Sequence, residues 1–187
     1  MRVPPTGRAV LAERAPTVTL TRVQSGIGTL TIEAACSAEV GELRLGAAYR
    51  LTSGLTSVLD SGPGNRFAPP HSPYPVLVAG RERYERLALD LRHIRELDRL
   101  AVFAFAENRE PLQWGGTLVV TTHSGARIEA ALDGLSGAVA MLLTGFQVNG
   151  ELTVRNEHES GFPTVREATR AFGYDAISWL DDRTPVE

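Results

Sequence analysis

Three acidic groupings and one basic cluster are the parts of this sequence whose residue types and spacing could do chemistry. Glu107 and Glu110 flank Asn108 in the segment Glu107–Glu110, directly after an apolar run. Glu157 and Glu159 bracket His158, and Asp181 adjoins Asp182. Converging carboxylates are how proteins bind calcium, which takes about six to eight oxygens. None of the three groups supplies that number alone. Each therefore reads first as a solvated edge that discourages strand-to-strand pairing. Arg81, Arg83 and Arg86 cluster around Glu82 and would either bind an anionic partner or stay solvated.

Other chemistry finds little support. The four histidines, His71, His93, His123 and His158, share no ligand spacing, so a metal trio could form only through folding. Gly134-Leu-Ser136-Gly137 is not the nucleophile elbow of a hydrolase, because no strand-to-helix turn surrounds it. No glycine-rich phosphate loop opens a helix. The single cysteine, Cys36, excludes an internal disulfide and a cysteine-based zinc site. It reads as a small buried hydrophobe. No catalytic residue and no metal ligand is nominated.

The elements that must position these groups follow from pattern. The 187 residues suit one domain, and a net charge of −3 argues against general nucleic-acid binding. There is no lysine; all the fixed cations are arginine, as the codon bias of a GC-rich genome would give. No apolar run approaches the roughly 18–20 residues needed to span a bilayer, and no signal-peptide core is visible. These features, with the single cysteine, lead to the expectation of a cytoplasmic protein. Residues 1–16 carry three prolines and no periodicity, and are expected to be a flexible arm before a domain spanning 17–187.

Alternating apolar residues predict strands at 17–23, 29–36, 42–51, 55–59, 76–79, 84–91, 100–106, 117–123, 127–132, 137–148 and 151–157. Asn149-Gly150 predicts a tight hairpin, since both residues tolerate positive φ. Thr164 and Glu167 resemble a capping box opening a short helix that ends before Gly173. Ser61–Pro75, with five prolines, is either a binding rim or a rigid crossover between sheets. The fold class expected is all-β, an antiparallel β-sandwich with a short C-terminal helix. Its core should hold Leu43, Leu45, Leu87, Leu89, Leu91, Val102, Phe103, Val119, Leu142 and Phe146.

Ala48–Leu59, Leu87–Trp114, Gly137–Val154, Phe162-Pro163, Ala171–Tyr174 and Ser178-Trp179 together resemble the TerD family of tellurium-resistance and stress proteins, especially its TerA-like branch. The resemblance runs from about Val18 to Leu180. It implies a cytoplasmic bacterial β-sandwich without catalytic activity, working with other proteins of a stress-resistance system. Many family members bind calcium through an acidic set that includes an Asp-Leu-Asp segment and a Gly-Asp-Asp motif. This chain has Gly41-Glu42-Leu43-Arg44 and Gly80-Arg81-Glu82-Arg83 at those places. A guanidinium in place of a carboxylate repels a cation, so calcium is disfavoured and no cofactor is expected; the alternatives are a calcium-binding member that uses substituted ligands and an enzyme of unknown type. The resemblance also brings the Ser61–Pro75 loop, the Gly80–Arg83 turn and the Glu107–Glu110 loop to one end of the sandwich. The expected partner- or anion-binding residues are Arg81, Glu82, Arg83, Glu107, Asn108 and Glu110. The oligomeric state is left open.

Overall fold

Strand alternation with a period of two builds two sheets whose apolar faces meet. The computed structural model describes residues 1–186, and these form an all-β sandwich with two short α-helices. One sheet runs in the order β1 (Arg8–Leu11), β11 (Arg127–Ala131), β10 (Thr117–Thr121), β3 (Thr29–Ala35), β8 (Glu85–Asp90), β7 (Leu77–Arg81) and β6 (Phe67–Ala68). The other runs β2 (Thr17–Thr19), β13 (Glu151–Ser160), β12 (Val139–Val148), β9 (Leu97–Ala106), β4 (Leu43–Leu51) and β5 (Thr56–Asp60). Neighbouring strands are antiparallel except β1 and β11, which are parallel.

Between the sheets lie Leu30, Ile32, Leu45, Leu87, Leu89, Val102 and Leu142, all buried. A second apolar layer lies outside the six-stranded sheet. There Phe103, Phe105 and Met141 pack under α2 (Val165–Ala171) and the following Tyr174 and Ile177. The Thr164 hydroxyl accepts the Glu167 amide at 3.1 Å and so caps α2. The Asn149-Gly150 hairpin forms as expected, with φ of 52° and 77° and Val148 opposite Glu151. No helix among the described residues is long and apolar enough to cross a membrane.

Two expectations need correction, the burial of Phe146 and the extent of the strand at 17–23. Phe146 is 39% exposed, whereas the other nine expected core residues are buried. The pairing of β12 slips between Met141 and Leu143, and this bulge reverses the parity of every residue after it. Leu142 and Leu143 both face the core, and Phe146 turns outward. Residues 1–16 contribute an edge strand to the sandwich. β1 pairs with β11, and Val3, Ala9 and Leu11 are buried. A strand of four residues is too short to announce itself by alternation. The expected strand 17–23 stops at Thr19. Thr21 and Gln24 then form a capping box that opens α1 (Arg22–Gly26).

Candidate functional site

The end of the sandwich where β8 begins is organised around a buried carboxylate. The alternation that buries Leu87 and Leu89 places Glu85 on the same inward face, and Glu85 is 4% exposed. Burying a carboxylate is costly unless every lone pair is answered. Nearby backbone supplies one partner. β5 stops pairing with β4 at Asp60 and Gly46, and the next amide of β4, that of Leu45, donates to Glu85 Oε2 at 3.2 Å. The Ser61 hydroxyl donates to the same oxygen at 2.7 Å.

Arg44 completes the arrangement. Its Nη1 donates to Ser61 Oγ at 2.9 Å and to Glu85 Oε1 at 3.4 Å, while its Nε donates to Glu107 Oε2 at 2.7 Å. Arg183, in the segment after α2, holds Glu107 from the other side. Its Nη1 donates to the Glu107 carbonyl at 3.1 Å, and its Nη2 lies 3.6 Å from Oε1. Burial works against the Arg44 charge, but the Glu107 hydrogen bond and the charges of Glu85, Glu107 and Asp60 overcome it, so its pKa is raised. Burial pushes the Asp60 carboxyl above its ordinary range, and the hydrogen bond from the Gly62 amide only partly offsets this.

The structure divides the six nominated residues. Arg81 Nε lies 3.7 Å from Glu85 Oε1, yet the Arg81 side chain is 61% exposed. Glu82 is exposed and accepts from Arg86 Nη1 at 2.8 Å. Arg83 places its guanidinium over the Tyr84 ring, 5.3 Å from the centroid. Glu107 is engaged internally by Arg44 and Arg183. The Asn108 side chain accepts the Glu110 amide at 3.0 Å, which shapes a tight loop with Arg109 at a φ of 65°. Glu110 is exposed. Thus Arg81 and Glu107 share one network through Glu85 and Arg44, while Glu82 and Arg83 lie beside it. Asn108 and Glu110 belong to the far lip.

The first part of the Pro-rich loop belongs to this end: Gly62, Pro63 and Asn65 line a concavity with Glu107 and Arg183, and Arg66 comes beside Arg81. The loop then forms β6 at the sheet edge and reaches the opposite end, where Tyr74 stacks on His93 with centroids 6.2 Å apart. It joins β5 of one sheet to β7 of the other, which is the crossover alternative.

Sequence pattern does not single out Asp60, Glu85 or Arg183, gives Ser61 only as the start of the Pro-rich loop, and shows Arg44 only as a departure from the family motif. Glu85 had a visible signal: it is in phase with the three leucines that follow. The segment after α2 had none, because Arg183 reaches Glu107 across 76 residues of sequence.

The chemistry of this end is ion pairing. Among the described residues no three His, Cys, Asp or Glu side chains are grouped to hold a metal ion. A divalent cation between Glu85 and Glu107 would compete with the Arg44 guanidinium already bonded to both. Ser61 donates to a carboxylate, with no histidine between them. Burial pushes the Cys36 thiol up to about 11, away from thiolate reactivity. No protein-family model matches this chain, and no curated protein matches it.

Proposed function

We propose that the chain is a non-catalytic binding or assembly component that docks through the charged end of its sandwich. One observation carries this reading. Arg81 keeps an exposed guanidinium on a turn whose base is fixed by Glu85, itself tied to Arg44, Ser61 and the Leu45 amide. A charged group held this way loses little conformational freedom on binding. Arg83, on the same turn, adds a second exposed cation. Together they favour an anionic partner, with Glu82 and Glu110 setting its orientation.

The likeness of Ala48–Leu59, Leu87–Trp114 and Gly137–Val154 to TerD proteins supports a place in a bacterial, cytoplasmic stress-response or tellurium-resistance system. The partners would then be other proteins of that system. Calcium is not needed in this reading, because Arg44 supplies the positive charge between Glu85 and Glu107. Reversing the two exposed charges tests the proposal. The variant carrying Arg81→Glu and Arg83→Glu, used as bait in stressed cells, should lose partners that the unaltered chain captures. An identical set of captured proteins would overturn it. Calorimetric calcium binding at about the micromolar level would overturn the statement on the metal.

A further inference from the structure

β6, β7 and β8 form one flank of the seven-stranded sheet, and α2 covers the other sheet instead. Directly opposed residues in a sheet share a face. Pairing therefore sets Phe67, Val78 and Ala88 in one outward row, with Gly80 and Arg86 in the next. Val78, Gly80 and Ala88 make a floor of small side chains. Arg66, Glu82 and Arg86 border an open concavity of about 270 Å³ over it, and Arg81, set on the inward face opposite Glu85, reaches its rim from the end of β7. The three guanidinium groups come from three places: the crossover loop, the end of β7, and β8.

Their own partners leave much of their donor capacity unused. Arg86 donates to Glu82 at 2.8 Å and faces Glu33 at 3.9 Å. Arg81 has only the 3.7 Å approach to Glu85, which lies on the inward side of the sheet. Arg66 donates its Nε to the Ala79 carbonyl at 3.3 Å and has no carboxylate partner among the described residues. Of the four charged residues lining the concavity, three are cationic and one is anionic.

We infer that this concavity binds a phosphate monoester whose organic part lies against Phe67. The inference rests on the binding role proposed above and names its ligand chemistry. A carboxylate offers one charge and two oxygens. A phosphate monoester carries about −1.5 to −2 charges at neutral pH and three terminal oxygens, enough acceptors for Arg66 and Arg86 over the floor and for Arg81 at the rim. The planar fork of arginine suits this geometry better than a point charge. Phe67 does not line the concavity; it stands 46% exposed just beyond it, opposite Val78, where a ring or alkyl group projecting from the bound phosphoryl group would meet it. The site is one concavity in a chain of net charge −3, so it matches a single phosphoryl group and not an extended polyanion.

Calorimetry at low salt with inorganic phosphate, phenyl phosphate and a phosphotyrosine peptide tests the assignment. Phenyl phosphate should bind saturably at one site and more tightly than inorganic phosphate. Arg66→Gln and Arg81→Gln should each weaken it about tenfold, the scale of a lost charge-assisted hydrogen bond. Arg127→Gln, which removes a cation from the opposite flank of the same sheet, should leave it unchanged. Phe67→Ser should abolish the preference for phenyl phosphate over inorganic phosphate. A peptide that binds more tightly than phenyl phosphate identifies a phosphorylated chain as the source, and equal binding identifies a free ester; either supports the site. Absence of saturable binding overturns the inference, as does equal weakening by Arg127→Gln. The two proposals separate cleanly. Lost partner capture without phosphate binding leaves the docking end standing and removes the pocket. Phosphate binding with unchanged capture does the reverse.

Discussion

At one end of the sandwich the strands are closed by Glu85, Arg44 and Glu107; at the other they are closed by Gln24 and Ser25. Both closures bury polar side chains, and Glu85 and Gln24 are equally buried at 4%. Their chemistry differs. Gln24 donates to the carbonyls of Val3 and Pro4 at 3.2 and 3.3 Å, and Ser25 Oγ accepts the Leu152 amide at 2.8 Å while donating to the Thr21 carbonyl at 2.8 Å. That end is sealed by neutral groups bonded to backbone. The charged end is sealed by an ion network, in which each member is costly if its partner leaves. The difference teaches where the molecule can respond to its surroundings. Neutral hydrogen bonds to backbone hold no charge to compete for, whereas a carboxylate–guanidinium network responds to any ion that competes for its charges.

The sharpest way to break the comparison is to remove the buried carboxylate. Glu85→Ala leaves Arg44 short of a counter-charge and the Leu45 amide without an acceptor, and should cost about 3 kcal/mol in denaturant unfolding. Glu85→Gln keeps an acceptor and should cost clearly less. Equal losses for the two variants would mean that charge is not what closes this end.

At the neutral end, Ser25→Ala leaves the buried Leu152 amide unsatisfied. The expected loss is about 1–2 kcal/mol, the same at pH 5 and pH 8. A loss that changes with pH would show that a titrating group, and not the neutral hydrogen bond, carries it.

The smallest effect should come from Asp60. Its folded pKa is raised, so the folded state holds the proton more tightly than the unfolded chain. That contribution to stability is complete below the unfolded carboxyl pKa and is lost as pH rises through the folded one. Asp60→Asn keeps an acceptor for the Gly62 amide and carries no such loss. It should melt higher than the unaltered protein at pH 7, with the gain shrinking into the acid range. A gain that is constant with pH would show that desolvation of Asp60 is not its origin.

Much of the sandwich could be read from alternation alone, and the failures have local causes. Leu87, Leu89 and Leu91 sit where a period of two puts them, but Phe146 does not, because one extra residue at the β12 bulge shifts the count. α1 was hidden inside an apparent strand, although Thr21 and Gln24 carry its capping signal. At the charged end, single-strand patterns can place Glu85 inward yet cannot say that Arg44, Ser61, Glu107 and Arg183 meet it. Those contacts depend on which strands are neighbours, and strand order is a property of the whole fold. Arg66 escaped for the same reason: β6 had to pair with β7 before Arg66 could stand beside Arg81.

The first nineteen residues clasp both sheets, with β1 on the edge of one and β2 on the edge of the other. Arg8 meets Glu129 and Thr19 meets Thr153, at sequence separations of 121 and 134. On the ribosome these early strands must wait for partners made much later, at about 5–20 residues per second. Until then β1 and β2 have no sheet to join, and when β11 and β13 emerge each offers an open edge to any passing strand. Two of the four edge strands are therefore made well before their partners, β2 waiting longest because β13 is the last strand of the sandwich, and chaperone demand during synthesis should centre on that interval.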